Sequence, residues 1–324
     1  DGGKYLFLDY GIVGGEHGHP DRLQIEYYAN GKNWIVDPLN ESYFNPNLQT
    51  WFRQTIAHNT IVLDQTSQAW ANGKYNFFGE TEDLQVASGS SSGIYPGADI
   101  NRTVIQIGEY FIDLLRVKCD VERTIDYPLH SFGELRVINL VMEKTPLDYF
   151  GVLPGVPGYD RLENIRVGKT KDKVGFEFTY DDGASLMIES LPDGERTVFS
   201  CINPPLGGFY KQMIKDQKPQ PMLMIRKRGK EADFVNLFHS SKGQRPEISF
   251  NRIDDLRFEV KFNDAVDHIY ADIKESKYYF LRSEKGILKK IAGFNVEAIR
   301  YLGVSVFSVK QSVEKFCLLF ENDI

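Results

Sequence analysis

The residues best suited to chemistry stand near the start of the chain, in Gly14-Gly15-Glu16-His17-Gly18-His19-Pro20-Asp21. Two imidazoles lie two residues apart in a glycine-rich approach to a hairpin. Asp37 follows in Trp34-Ile35-Val36-Asp37-Pro38, and a third imidazole in Thr55-Ile56-Ala57-His58-Asn59-Thr60. Imidazole and carboxylate from adjacent strands is how a β-protein assembles a metal site or an acid–base site. The functional reading is that His19, Asp37 and His58 bind a divalent metal. Two imidazoles and a carboxylate suit zinc and leave one position for water or another group. The plainer reading makes them hydrogen-bonded strand-end residues. His17 is expected to face a different environment from His19, free for acid–base or anion-binding work yet held by the same loop.

Strands must position these groups. Leu23, Ile25 and Tyr27 alternate with Gln24 and Glu26, the pattern of a half-buried strand. Asn30-Gly31 follows, a strong hairpin signal, with Trp34-Ile35-Val36 as the return strand. A two-residue turn pairs Asp37 with Gln24, on the face away from Leu23 and an extended His19. A three-residue loop from Ala29 to Gly31 pairs Asp37 with Leu23 instead and brings it to the His19 face. Pro38 holds Asp37 in an extended conformation.

Beyond the motif, short alternating runs dominate and helix periodicity is nearly absent. Strands are expected at 103–117, 133–144, 173–180, 184–190, 196–201, 222–228, 233–239, 256–262, 267–273, 277–282 and 302–308. Turns fall at Asp181-Asp182-Gly183, Pro192-Asp193-Gly194 and Arg228-Gly229-Lys230. This spacing implies an all-β fold: a large antiparallel β-sandwich over 1–240 with a smaller C-terminal β-layer over 241–324. The Ser/Gly-rich stretch 88–98 reads as a mobile loop, and 215–221 as a polar connector.

The bulk numbers narrow the function. The 324 residues include 22 Phe and 17 Tyr, an aromatic load that favours pleated surfaces. A net charge of −7 argues against nucleic acid as a partner. Cys119, Cys201 and Cys317 make no disulfide framework and no thiolate zinc motif. No apolar run is long enough for a transmembrane helix, so no membrane partner is expected. No signal peptide is visible, and Asp1-Gly2-Gly3 leads straight into apolar sequence, which reads as a start inside a longer protein.

Two resemblances bear on function. Gly11, His17, His19 and Gly31 fall at the spacing of a first cupin motif. Gln24 replaces the carboxylate expected there, and the Pro-x-Gly of the second motif is missing before His58, so the cupin pattern is incomplete. The run His17-Gly18-His19-Pro20-Asp21-Arg22-Leu23, the Asp37-Pro38 strand end and Arg53-Gln54-Thr55-Ile56-Ala57-His58-Asn59-Thr60 together resemble the heparinase II/III-like superfamily of polysaccharide lyases. That group includes heparin-type and oligoalginate lyases. The resemblance is strongest over residues 5–140.

The resemblance implies the C-terminal β-domain of an enzyme whose N-terminal α/α toroid is its partner within the full-length protein. It implies β-elimination on an acidic, uronic-acid-containing polysaccharide and a periplasmic or secreted bacterial location. His17 matches the active-site histidine contributed by the sheet, while His19, Asp37 and His58 match metal ligands of some members. The metal, zinc by this reading, would be structural. The toroid supplies the family's catalytic Tyr, so this chain alone is expected to be inactive.

Arg22 and Arg53 are candidates for substrate carboxylate or sulfate, with a structural salt bridge as the plainer role. Trp70 and Trp51 could stack on sugars or pack in the core. His130 could line a cleft or serve the structure. The alternative class is a non-catalytic carbohydrate-binding or assembly sandwich.

Overall fold

The protein was analysed as a computed structural model, which describes residues 3–12, 15–39, 41, 43–146, 156, 158–204, 220–243 and 246–320. Among the described residues the regular structure is almost wholly strand, and every recorded strand pairing is antiparallel. The expected all-β antiparallel class is therefore the one observed.

The chain divides into two compact units. The first comprises Asp1–Tyr75, Gly89–Arg102 and Leu114–Gly243; the second comprises Asn76–Ser88, Thr103–Asp113 and Gln244–Ile324. The second unit thus takes in two stretches that a boundary near residue 240 leaves with the first. No helix among the described residues is long and apolar enough to cross a membrane.

In the first unit, β1 (Tyr5–Leu8), β2 (Ile25–Ala29) and β3 (Lys32–Ile35) form a small sheet. The turn between β2 and β3 is the two-residue form: Ala29 pairs with Lys32, and Asn30 and Gly31 both have positive φ, 55° and 76°. The register then slips. Tyr28 faces Asn33 but Tyr27 faces Ile35, so Trp34 is an extra residue on the return strand. A one-residue slip flips every later side chain to the other face. The bulge thus gives Asp37 the parity that the three-residue loop would have given. Trp34 is fully buried and donates its indole N–H to Ala29 O at 3.0 Å, which anchors the bulge.

The strands β4 (Val62–Leu63), β5 (Lys74–Glu80), β6 (Leu84–Ser91), β7 (Ala98–Ile107) and β8 (Tyr110–His130) follow. Next come β9 (Glu134–Ile138), β10 (Glu143–Lys144), β11 (Glu163–Thr170), β12 (Val174–Thr179), β13 (Ala184–Ser190), β14 (Arg196–Asn203) and β15 (Gln220–Lys242). The path β10-β11-β14-β15-β8 runs through the first unit, with β12 pairing β13 and β9. Leu48, Trp51, Phe52, Ile56, Phe199 and Met222 are among its core residues.

Three expectations are corrected here. The strand expected at 103–117 is two strands, because Gly108 at φ 50° turns the chain. Arg228-Gly229-Lys230 is not a turn: β15 runs through it, and Arg228 pairs with Glu122 on the neighbouring β8 at 2.7 Å. The stretch 88–98 is not a loose loop but the end of β6, a short turn and the start of β7. Its small residues answer close packing: a Cβ on Gly89 would lie 2.7 Å from Tyr10 Cβ. Residues 215–219 of the expected connector lie outside the described residues.

The second unit holds a sheet in the order β16 (Ile248–Arg252), β17 (Arg257–Phe262), β18 (Ala265–Asp272), β19 (Lys277–Glu284), β20 (Ile287–Phe294), β23 (Phe316–Leu319). A separate hairpin pairs β21 (Val296–Tyr301) with β22 (Val304–Val313). Arg282 binds buried Asp267 with two bonds of 2.7 and 2.6 Å, and the Tyr110 hydroxyl donates to the same carboxylate at 2.7 Å. Bidentate pairing of this kind satisfies a buried charge as few other contacts can.

Candidate metal centre and active-site histidine

The site is assembled in the first unit, from the segment before β2, the end of β3 and the stretch before β4. A single 3-10 turn, Gly15–His17, precedes His19, with Gly15 at φ 62° and Gly18 N–H bonding Gly15 O at 3.1 Å. Residues two apart in a plain strand share a face. The turn breaks that rule, leaving His17 exposed and His19 buried. His17 Nδ1 lies 3.0 Å from the Tyr43 hydroxyl, and the Arg53 guanidinium sits 5.6 Å from the Tyr43 ring centroid. Tyr43, for which the sequence offered no role, thus joins two of the sequence-predicted residues.

The buried half of the site is held by the Ala57-His58-Asn59-Thr60 tetrad, in which each polar side chain is a tie. The Asn59 amide donates to Val36 O at 2.8 Å and accepts from His130 N–H at 2.8 Å. The Thr60 hydroxyl donates to Arg22 O at 2.6 Å. Arg102, fully buried, donates to both Leu23 O at 2.7 Å and Asn59 O at 2.6 Å. These bonds bring the His19 segment and the His58 segment together.

His58 is wholly buried, its ring 5.2 Å from that of His19. Its Nε2 donates to Phe52 O at 3.1 Å, and its Nδ1 lies 2.7 Å from Asp37 Oδ2. Both ring nitrogens therefore face acceptors. Without a metal the ring must carry both protons, as an imidazolium paired with a carboxylate. Burial pushes the His58 pKa down, but the charge and hydrogen bond of Asp37 outweigh it and the pKa is raised. Burial likewise pushes Asp37 up, but His58, together with the Leu39 N–H, holds it below the ordinary value. The other Asp37 oxygen accepts from Leu39 N–H at 2.7 Å, which fixes the carboxylate.

The carboxylate that converges with both imidazoles is Asp21 rather than the sequence-predicted Asp37, which meets the group through its bond to His58. The ligand atoms of His19, Asp21 and His58 all lie within 4.8 Å of one another, and all three residues are buried. The region carries surplus negative charge. Glu26 is raised to about 7, by burial first and then by Asp37, Asp21 and Asp9. Asp9 is raised too, by burial first. Two imidazoles and a carboxylate, all buried and converging, are the donor types that hold a divalent cation.

The other candidates divide cleanly. Arg22 is only 6% exposed, and its guanidinium is taken up by Asp9 at 3.0 Å, by Asp21 and by Ile12 O at 3.3 Å. It is a structural cation here, not a surface group waiting for substrate. Trp51 is fully buried in the core, whereas Trp70 is 57% exposed. His130 is buried, with Nε2 donating to Ile56 O at 2.9 Å and the Trp51 ring edge-on at 6.0 Å. Burial lowers its pKa to about 4, so it stays neutral. Sequence reasoning did not assign Asp21 and Glu26, although Asp21 continues the spacing of His17 and His19.

Residues 1–146 match the family described as "Heparinase II/III-like, C-terminal". An alginate lyase of Stenotrophomonas maltophilia is 29% identical over 168 residues, which cover 44% of this chain and 23% of that protein. A heparin-sulfate lyase of Pedobacter heparinus is 27% identical over 242 residues, covering 72% of this chain and 31% of that protein. The crystal structure of heparan sulfate lyase HepC from Pedobacter heparinus superposes with a TM-score of 0.61 at 19% identity, covering 93% of this chain and 40% of that one. Heparinase III superposes with a TM-score of 0.60 at 15% identity, covering 83% and 40%. The structural likenesses establish a shared fold. The chain spans between a fifth and a third of the length of the curated relatives it matches.

Proposed function

We propose that this chain is the β-domain of a polysaccharide lyase that cleaves uronic-acid-containing glycans by β-elimination. In that reaction a base removes the proton on C5, the C4–O bond breaks, a C4=C5 double bond forms, and the departing oxygen takes up a proton. The C5 proton is weakly acidic because of the neighbouring carboxylate. Hydrogen-bond donors aimed at that carboxylate stabilise the charge that develops. His17 is the donor this chain offers. With the Tyr43 hydroxyl donating to Nδ1, the imidazole proton sits on Nε2, available to a substrate carboxylate. Arg53 brings positive charge to the same place, and exposed Trp70 offers a flat face for a sugar ring.

His19, Asp37 and His58 are the ligands expected from sequence; by the observed convergence His19, Asp21 and His58 would hold a divalent metal, zinc by donor type, with Asp37 bonded to His58. When bound, it would cross-link the two segments of the site and so keep His17 in position. The proton-moving groups would come from an α/α toroid in the same full-length protein, at a periplasmic or secreted location.

The observation that carries this reading is the contrast between His17, exposed and oriented by Tyr43, and the buried cluster two residues away. The test is to assay the protein carrying both this chain and the toroid on alginate- and heparin-type oligosaccharides. The readout is ultraviolet absorbance of the unsaturated uronate product. Full activity in His17→Ala would remove His17 from the mechanism, and brisk elimination by the 324-residue chain alone would overturn the division of labour.

A further inference from the structure

The surface that carries His17, Tyr43 and Arg53 runs on to Arg161. Arg53 closes a single helical turn, Leu48–Phe52, through its N–H on Leu48 O at 2.9 Å. Leu48, Trp51 and Phe52 face the core, which leaves Thr50 and Arg53 on the outer side. Residues three apart on a helical turn are neighbours, about 5–6 Å between Cβ atoms. The Thr50 hydroxyl accepts from Arg161 Nη2 at 3.2 Å and donates to Pro46 O at 3.2 Å. His17, Tyr43, Arg53, Thr50 and Arg161 therefore follow one another along this surface.

Arg161 is firmly placed but lightly paired. It ends a short helical turn, Tyr159–Arg161, and stands between two buried anchors, Tyr159 and Leu162. The Tyr159 hydroxyl donates to buried Asp126 at 2.6 Å. Gly158 precedes the turn at φ 88°, and a Cβ there would lie 2.3 Å from Ile56, so the turn sits directly on the stretch that leads to His58. The Arg161 side chain is nevertheless 39% exposed. A guanidinium carries five N–H donors. Here one meets a neutral hydroxyl, and the carboxylate beside it, Asp160, is 3.8 Å away and outside hydrogen-bond reach. Arg22, by contrast, is taken up by Asp9, Asp21 and Ile12 O.

Resting on the lyase reading, we infer that Arg161, steadied by Thr50, binds a second anionic group of the same glycan, a carboxylate or sulfate on a sugar other than the one held at His17 and Arg53. A guanidinium fork suits either group, and the bond to Thr50 leaves most of the fork for the ligand. The chain as a whole has a net charge of −7, so a polyanion needs local cations of this kind to lie against it. The second group keeps its charge throughout the reaction. Arg161 thus holds ground state and transition state alike, and its contribution falls on KM rather than on kcat.

The test uses the toroid-bearing protein and two kinds of oligosaccharide, one with a single uronate and no sulfate, the other with two or more anionic groups. Arg161→Gln should raise KM about tenfold for the second kind, the scale of one lost hydrogen bond to a charged group, with kcat unchanged. For the single-uronate substrate KM should not move. Arg161→Lys keeps the charge without the fork and should recover part of the loss. Thermal unfolding of both variants checks that the fold survives. A KM rise on sulfate-free strands assigns the second group to a carboxylate, and a rise confined to sulfated strands assigns it to a sulfate. An unchanged KM for multiply charged strands, an equal rise for both kinds, or a fall in kcat instead overturns the second anion site and leaves the lyase reading standing. Absence of elimination by the unaltered protein on every substrate removes the lyase reading itself, and this inference with it.

Discussion

His58 and Asp37, 21 residues apart in sequence, form a buried ion pair with Nδ1 2.7 Å from Oδ2. The pair joins the end of β3 to the tetrad before β4. Each member depends on the other, because neither charge has water to fall back on. Removing one partner of a buried pair typically costs about 3–5 kcal/mol, since the other charge is left uncompensated. Asp37→Asn should therefore lower stability by an amount of that order, read from the denaturant midpoint. A loss below about 1 kcal/mol would mean the pair is dispensable, as an exposed pair would be.

Metal removal is the companion measurement. A ligand that binds the folded state alone raises apparent stability as its concentration exceeds Kd. The purified chain should carry one zinc or similar ion per molecule, and chelator should lower its Tm. In His58→Ala and His19→Ala chelator should have little further effect. An unaltered Tm in the native chain would show that the cluster holds together by hydrogen bonds alone.

His17 should behave in the opposite way. It is exposed, and its recorded hydrogen bond is to the exposed Tyr43. Surface substitutions usually change stability by no more than about 0.5 kcal/mol. His17→Ala should leave Tm and metal content unchanged while cutting turnover of the toroid-bearing protein by about 10²–10³-fold. A fall in metal content would move His17 from the chemical to the structural half of the site.

Much of this was legible in the sequence, for identifiable reasons. The motif residues advertise themselves by type: imidazole, carboxylate and Asn/Thr in a chain whose polar residues otherwise read as turns. The Asn30-Gly31 turn follows from its demand for positive φ. The bulge at Trp34 could not be read, because it is set by where the indole is buried. Nor could the course of β15 through Gly229 be read. A charged, glycine-bearing triplet looks like a turn until the matching charged stretch of β8 is known to lie beside it. Arg22 looked like a substrate ligand because the sequence does not reveal that Asp9 and Asp21 flank it.

The acid side of the stability curve should report His130. Its pKa is lowered to about 4 in the folded protein, against 6.5 for an ordinary histidine. The unfolded chain therefore binds more protons between those values, and stability rises with pH across that window. The contribution is fully present above about pH 6.5 and is lost as pH falls towards 4. At 1.36 kcal/mol per pKa unit the effect is on the order of 3 kcal/mol. His130→Leu should be less stable at pH 7, because Ile56 O loses its donor. Its stability should nevertheless decline less between pH 6.5 and 4. Parallel curves for the two proteins would show that His130 does not titrate in this range.

Arg102 gives the last prediction. It carries no motif signal, yet its side chain is fully buried and one nitrogen meets the carbonyls of Leu23 and Asn59. Leu23 has φ 64°, a left-handed backbone unusual for a residue with a Cβ. The guanidinium also lies 5.5 Å from the Tyr127 ring centroid. Arg102→Met would take this donor from two buried carbonyls, of which Asn59 O keeps the Ile25 N–H at 3.3 Å, at roughly 1–3 kcal/mol for each group left unpaired. A loss of about 1–3 kcal/mol is expected, together with weaker metal binding, because the His19 and His58 segments lose their common tie. Arg102→Lys keeps the charge and can reach one carbonyl, so it should recover part of the stability. Metal affinity should follow the number of ties restored. Full metal affinity in a folded Arg102→Met protein would show that the two segments find each other without it.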